Sequence, residues 1–208
     1  MKYLYIDTSS SYLYTAIVEN DKLIDQIKED YGQSLSEMAL PRIVSMFEKN
    51  KIESHDIDKI IVVNGPGSFT GIRIGITIAK VFAWSLAIPI TTILSLEAMA
   101  TSSESDKIHI PLINARRGYV FAAVYDNSGN SLLKPQHIKI TELLEKIDGI
   151  GEYEIITNDE FSEFITTEKY TPDILKIVKK YKDKNSINAH AVNPEYLKLT
   201  EAEESKLW

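Results

Sequence analysis

The chain contains no cysteine and few arginines, and both shortages limit what it can do. Without cysteine it can form no disulfide, no iron–sulfur cluster and no thiol nucleophile. Its 208 residues carry only four arginines and a formal net charge of −7. A free-standing nucleic-acid binder needs a positive surface to displace counterions, and bidentate phosphate forks need arginine. We therefore expect the isolated chain to bind RNA weakly.

The sequence also lacks an obvious leader and a long uninterrupted apolar run. Asp7 comes before any signal-peptide apolar region can form. The most apolar stretch, 72–87, is interrupted by Arg73 and Lys80 and is predicted to be too short to cross a bilayer. Apolar and charged contents of 44% and 25% are ordinary for a globular protein. These features predict a cytoplasmic protein with no membrane association.

Catalytic patterns are missing as well. The histidines are isolated and show no metal-ligand spacing, and no Gly-x-Ser-x-Gly elbow or paired carboxylates stand out. We therefore predict no catalytic residue, no metal and no cofactor. The four histidines are His55, His109, His137 and His190.

The most distinctive stretch is the glycine-rich segment 65–75. It follows a β-branched run at 59–64, which predicts a buried strand, and it leads into an apolar helix at 72–87. Backbone N–H groups at such a helix start can hold an anion. The segment nevertheless lacks the Walker lysine and the third dinucleotide-loop glycine. Two interpretations stay open: a tight turn with close helix approach, or phosphate contact through Gly65, Gly67 and Ser68.

The helix after this loop is apolar on two sides. Small residues at 71, 75, 79 and 83 recur every fourth position and form a ridge suited to close helix packing. Ile74, Ile78, Val81 and Trp84 occupy the opposite side. The ridge is predicted either to form an interface with another subunit or to pack on a sheet of the same chain.

Periodicity predicts a two-part α/β organisation. Strands at 3–6, 12–19 and 22–29 open the first half, and a capping box at Ser34 predicts a helix over 34–48. The second half is predicted to begin with strands at 108–114, 119–125 and 132–140. The polar segment 101–106 predicts a domain boundary, which divides the chain into domains at 1–103 and 104–208. Residues 201–208 are predicted to fray.

The opening strands resemble the entry to the actin-like ATPase fold. In that fold the turn matching Asp7, Thr8 and Ser9 faces nucleotide phosphates, which makes these residues candidates for a vestigial nucleotide site. The alternative is that the Asp7 side chain only caps its own turn.

Four motifs together resemble the TsaB family, also called YeaZ, over nearly the whole chain. They are Asp7-Thr8-Ser9, the unbroken GPGSFTGIRIG at 65–75, Ala115-Arg116-Arg117-Gly118 with Val124-Tyr125-Asp126, and Pro194-Glu195-Tyr196-Leu197-Lys198. Two positions depart from the family pattern: Leu35 stands where a histidine is frequent, and Lys198 replaces the closing arginine.

The resemblance implies an actin-like ATPase fold (ASKHA, ribonuclease H-like) with a shortened second lobe. It further implies a non-catalytic scaffold in synthesis of threonylcarbamoyladenosine, at the adenosine 3′ of the anticodon in ANN-decoding tRNAs. Its catalytic relative, TsaD, holds a metal with a His-x-x-x-His pair, and Ser95 and Met99 stand at the matching places here. The alternative function is a stand-alone enzyme of this fold, an ATP-dependent kinase or a peptidase.

The resemblance also implies partners. They are a second copy of the chain when alone, a TsaD-like transferase through the first two helices, a TsaE-like ATPase, and tRNA only within the complex. Arg116 and Arg117 are expected to contact RNA there or to be ordinary surface residues. The expected interface residues are Met38, Arg42, Gly71, Gly75, Ala79 and Ala83.

Overall fold

The computed structural model describes residues 1–164 and 167–198. In the described residues the structure contains two mixed sheets, each accompanied by helices. The predicted fraying of 201–208 lies outside the described residues.

The first sheet is mixed, and its middle strands are almost completely buried. Its strands are β1 (Lys2–Asp7), β2 (Tyr12–Glu19), β3 (Lys22–Asp30), β4 (Lys59–Val63) and β5 (Ile90–Ile93). Their order is β3-β2-β1-β4-β5; β1, β2 and β3 run antiparallel, while β4 and β5 run parallel to β1. A parallel neighbour needs a crossover, and α2 (Phe69–Leu86) provides it between β4 and β5.

The second sheet repeats this topology. Its strands are β6 (Ile108–Asn114), β7 (Tyr119–Tyr125), β8 (Ser131–Lys139), β9 (Tyr153–Thr157) and β10 (Glu168–Lys169). Their order, β10-β9-β6-β7-β8, again puts the first strand in the centre, with two antiparallel strands on one side and two parallel strands on the other. The last strand has only two residues. The prediction of an actin-like ATPase fold with a shortened second lobe is confirmed.

Two hydrophobic cores correspond to the two sheets. In the first, α1 (Leu35–Asn50) and α2 cover the sheet. In the second, α4 (Ile140–Ile147) packs on β7 and β8 and contributes Leu143 and Ile147. Leu35, the departure from the family pattern, is 4% exposed and belongs to the first core, which explains an apolar residue at that position.

The start of α1 differs from the prediction. A short 3-10 turn, Gly32–Ser34, leads into the helix, and the Ser34 side chain makes no capping hydrogen bond. The capping box inferred from Ser34 and Glu37 is therefore absent. Its residues were spaced correctly, but the preceding 3-10 turn sets a backbone conformation at Ser34 that is not the extended one a capping serine adopts.

The compact units do not follow a single cut in the chain. One consists of Met1–Ala98 together with Pro172–Glu195, and the other contains Met99–Thr171 and, among the described residues, 196–198. The predicted division at 103/104 lies close to the first change of unit. It does not include the return of 172–195, which brings α5 (Ile174–Tyr181) onto β1 and β2.

Within the described chain, α2 has the length and apolar composition of a membrane span, with a mean hydropathy of 1.3 over 18 residues. The prediction that this segment is too short is therefore wrong. One side of α2 is nevertheless buried on the first sheet, as in the core helix of a water-soluble protein. The buried residues are Gly71, Ile72, Gly75, Ile76, Ala79 and Ala83.

Candidate functional site

The structure brings the turn after β1 into direct contact with the glycine-rich loop. The backbone N–H of Ser68 donates to the carbonyl of Ser9 at 2.7 Å. The hydroxyl of Thr8 donates to the carbonyl of Gly71 at 2.7 Å, and Thr8 is fully buried. Two segments about sixty residues apart are thus joined by hydrogen bonds between backbone groups and one buried hydroxyl.

The glycines permit this contact because they carry no Cβ. At Gly67, where φ is +154°, a Cβ would lie 2.2 Å from the Ser9 carbonyl oxygen. At Gly71 it would lie 2.1 Å from the Thr8 carbonyl oxygen, and at Gly75 it would lie 2.4 Å from Thr8 Oγ1. All three distances are far below van der Waals contact. Close approach of helix and turn, one of the two interpretations of the loop, is what the structure shows.

The start of α2 is also satisfied from within the chain. Ser68 is the N-cap residue, and its hydroxyl accepts from Gly71 N at 3.2 Å. The Ser68 N–H, which a phosphate site at this loop would require, already donates to Ser9. Of the groups proposed to meet a phosphate, the N–H and the hydroxyl of Ser68 are therefore engaged within the chain, and the nucleotide site stays a prediction.

Asp7 is 2% exposed at the end of β1. Its Oδ1 accepts from Ser9 N at 2.8 Å, and its Oδ2 accepts from the Tyr5 hydroxyl at 3.5 Å. Burial raises the pKa of the Asp7 carboxyl, and the hydrogen bonds from Ser9 and Tyr5 oppose that rise. Burial, followed by the nearby Asp7, likewise raises the pKa of Tyr14. The Asp7 side chain caps its own turn, as one of the two interpretations predicted.

A further segment, residues 193–195, contacts this loop, and the sequence did not predict this contact. Glu195 N donates to the carbonyl of Asn64 at 2.7 Å, and Asn64 Nδ2 donates to the carbonyl of Asn193 at 3.2 Å. A Cβ on Gly65 would lie 2.4 Å from the Glu195 carbonyl oxygen. The closing Pro-Glu motif was recognised in the sequence, but a sequence pattern carries no signal that it meets Gly65.

The small-residue ridge lies against the protein's own first sheet. Gly71 and Gly75 contact the Thr8 turn, and Ala79 and Ala83 are 0% and 2% exposed in the first core. The expectation that these four residues lie at a subunit interface is corrected, because the chain itself buries them. Small residues are needed there to let α2 approach the sheet.

The other two expected interface residues lie on α1. Met38 and Arg42 are both partly exposed. The Arg42 guanidinium pairs with Glu29 on β3 at 2.6 Å and so braces α1 against the sheet edge. Neither residue is buried in the core, so both remain accessible to a partner.

An apolar surface on the outer side of the first two helices is the main exposed feature of this unit. We call it the outer helix face and define it by Leu40, Val44, Ile74, Ile78 and Val81. Leu40 and Val81 are 44% and 57% exposed, and Ile74 and Ile78 are half-buried. Val44 and Val81 line a common groove of about 800 Å³ between α1 and α2. Exposed apolar patches of this kind mark interaction surfaces.

The places that match a metal-binding pair in TsaD are both buried on α3 (Ser95–Ser102). Ser95 is 3% exposed and its hydroxyl donates to the carbonyl of Pro66, while Met99 is 4% exposed. Among residues 1–164 and 167–198, no group of three His, Cys, Asp or Glu side chains is arranged to hold a metal ion.

Comparisons with known proteins identify the family. A family model described as TsaD, tRNA N6-adenosine threonylcarbamoyltransferase, matches residues 25–169. The Bacillus subtilis tRNA threonylcarbamoyladenosine biosynthesis protein TsaB is 31% identical, over 98% of this chain and 96% of its own length. The chain belongs to the TsaB family. A second TsaB protein, from Buchnera aphidicola of Schizaphis graminum, is 29% identical over 75% of this chain and 77% of its own length.

Solved structures show the same fold. YeaZ from Pseudomonas aeruginosa superposes with a TM-score of 0.77 at 16% identity, covering 94% of this chain and 99% of its own. A second structure, of an uncharacterized protein described as similar to peptidase YeaZ from Pseudomonas aeruginosa, gives 0.79 at 17% identity and covers 95% and 99%. At these identities the likeness establishes the fold of the TsaB-family chain and not its activity.

Proposed function

We propose that this TsaB-family chain is a non-catalytic subunit required for threonylcarbamoyladenosine modification of tRNA. It supports a TsaD-like transferase and a TsaE-like ATPase in the cytoplasm, and it meets tRNA only within that complex. The target is the adenosine 3′ of the anticodon in ANN-decoding tRNAs. The names of its relatives support the pathway, and the buried Ser95 and Met99 in place of two histidines support the absence of catalysis.

The observation that carries a scaffold role is the outer helix face. Apolar side chains on α1 and α2 remain exposed although both helices bury another side in the core. Trp84, on the same helix, is 67% exposed. Aromatic and aliphatic side chains of this kind form the centres of protein interfaces. A stable interface needs on the order of 1,200–2,000 Å² in total.

We infer that the same face serves two partners. When alone, the chain pairs with a second copy through α1 and α2, and in the complex the TsaD-like subunit takes that place. A TsaD-like partner with the same fold would present equivalent helices, and this equivalence favours such an exchange.

A pair of substitutions two positions apart on α2 tests this interface. Val81→Glu places a charge on the outer helix face and should give a folded monomer that fails to retain the TsaD-like subunit. An unpaired charge at a buried contact typically costs about 3–5 kcal/mol, so dimerisation should weaken at least about 100-fold. Ala79→Glu places the same charge in the core and should unfold the protein.

Gln26→Glu, at an exposed position of β3 outside both helices, is the matched control and should remain a folded dimer. Circular dichroism reports folding, and analytical ultracentrifugation reports the oligomeric state. A Val81→Glu protein that stays a well-folded dimer would place the interface elsewhere. The pathway itself is tested by a tRNA modification assay that omits each protein in turn. Full modification without this chain would refute the proposed function.

A further inference from the structure

One end of the second sheet carries basic and aromatic side chains on the side opposite its core. Tyr119 pairs in register with Lys139, and Phe121 pairs with His137. Val120, Ala122 and Ile138 alternate with them and belong to the second core. Successive strand residues point to opposite sides of a sheet. The two cross-strand pairs, Tyr119 with Lys139 and Phe121 with His137, therefore share the face away from that core. We call this surface, together with the adjoining Arg116 and Arg117, the basic aromatic face.

The rings on this face form a cluster. Tyr119 and His137 stack with their centroids 4.6 Å apart and their planes 6° from parallel. The Phe121 ring lies 5.4 Å from His137, and the Lys139 ammonium lies 6.0 Å from the centre of the Tyr119 ring. The three rings are half-exposed, whereas Lys139 is exposed. This arrangement groups three half-exposed rings with a cation over one of them.

Positive charge is concentrated in the segment that forms β7, β8 and the turn before them. Between residues 114 and 141 the sequence has four cationic side chains and a single carboxylate, although the whole chain has a net charge of −7. That carboxylate, Asp126, lies at the far end of the β7–β8 hairpin and accepts hydrogen bonds from Ser128 N, Asn130 N and Asn130 Nδ2. The cations are Arg116, Arg117, Lys134 and Lys139.

Two other carboxylates lie near the face, and neither forms an ion pair with its cations. Asp159 Oδ2 accepts from Asn114 N at 2.7 Å, and Glu142 lies in the first turn of α4. In the part of the chain that the structure describes, Arg116, Arg117 and Lys139 make no ion pair within 4.0 Å. The cations are therefore available to an anionic partner.

The β6–β7 turn places two arginines in a left-handed backbone conformation, which does not favour the stability of the turn. Arg116 and Arg117 have φ values of +66° and +52°, and Gly118 has +76°. Asn and Gly are preferred where two successive turn residues are left-handed, because a larger side chain is disfavoured there. Strained backbone of this kind concentrates at functional sites. The two arginines are better explained by what they contact than by the turn they form.

We propose that the basic aromatic face binds a single-stranded segment of RNA. Arg116, Arg117 and Lys139 bind its phosphates, and an unstacked base packs against the half-exposed rings of Tyr119 and Phe121. Duplexes shield their bases, so an aromatic surface of this kind selects a loop or a free strand. In assigning the RNA to the tRNA substrate, the inference rests on the proposed function.

The test uses the full chain and a fluorescently labelled single-stranded RNA of 12 nucleotides, titrated by anisotropy at low and moderate salt. Arg116→Asn with Arg117→Gly removes two charges and supplies the residues that this turn prefers, so the hairpin is kept. Affinity at low salt should fall about tenfold or more, and the slope of log K against log salt should fall by about 1.4. Lys107→Gln with Lys146→Gln removes the same charge from exposed positions outside the face and should change neither quantity.

Tyr119→Leu separates stacking from charge. It should weaken RNA binding about tenfold, leave binding of inorganic polyphosphate unchanged, and be rescued by Tyr119→Phe. Unchanged RNA affinity in the arginine variant, or an equal loss in the lysine control, would overturn the proposal. So would equal effects of Tyr119→Leu on RNA and polyphosphate.

These outcomes are separable from the proposed function. The present proposal alone would be refuted by two results together: the complete system modifies tRNA with the arginine variant at an unchanged KM for tRNA, and the isolated variant binds RNA as tightly as the wild type. Full modification in the absence of the chain would remove the proposed function. The oligonucleotide titration would then still decide whether the face binds RNA.

Discussion

Gly75 in α2 allows a prediction whose sign is opposite to the usual rule for helices. Replacing a helical glycine by alanine ordinarily stabilises a protein by about 1 kcal/mol, because alanine has the better helix propensity. Here the new Cβ would lie 2.4 Å from Thr8 Oγ1, while its next neighbours, in Ile6 and Thr8, lie at 3.5 and 3.6 Å. A single hydroxyl therefore accounts for the whole clash.

Overpacking of this kind costs roughly 1–3 kcal/mol, so Gly75→Ala should destabilise the protein despite the better propensity. Thr8→Ala removes the hydroxyl, and also the hydrogen bond to Gly71, which costs about 1–3 kcal/mol by itself. In the Thr8→Ala background, Gly75→Ala should become neutral or stabilising. The coupling between the two sites should be about 1–3 kcal/mol.

Urea unfolding of the two single variants and the double variant measures this coupling. Gly71→Ala is the matched control, because its Cβ would meet the Thr8 carbonyl oxygen at 2.1 Å, and Thr8→Ala does not remove that atom. Its cost should persist in both backgrounds. If Gly75→Ala has the same effect with and without the Thr8 hydroxyl, the close approach of α2 to the turn is not what requires glycine there.

Two further outcomes are expected. The isolated protein should hydrolyse no ATP, cleave no peptide and modify no tRNA, because Ser95 and Met99 stand where the family resemblance expects a pair of metal-binding histidines. Turnover in a coupled ATPase assay by the protein alone would instead favour a stand-alone enzyme. Asp7→Asn should raise stability at pH 8 more than at pH 4. Burial raises the pKa of Asp7 in the folded protein, so the wild type loses stability as the pH rises from the unfolded-state pKa through the folded-state pKa. Asparagine does not titrate, so the variant does not lose this stability. Thermal unfolding of both proteins across this range checks the second outcome, and a difference that shrinks toward pH 8 would contradict the burial argument.

The sequence by itself determined most of the elements and the family. Strands β2, β6 and β7 begin and end where the pattern predicted, because turn residues bound each of these runs. The unbroken motif at 65–75 identified the family because its chemistry is local: closely spaced glycines permit a loop that few other residues could form. The same local pattern was compatible with a tight turn and with phosphate contact, because it carries no information on which residues the loop contacts.

Only the tertiary structure decided which side of α2 is buried. Both sides of this helix are apolar, so periodicity could not choose between the small residues and the larger ones on the outer helix face. The choice depends on Thr8, 63 residues away, whose carbonyl and hydroxyl leave no room for a Cβ at 71 or 75. The return of Glu195 to Asn64 has the same origin. Contacts between distant segments are set by packing of the whole chain, and no single stretch of sequence contains them.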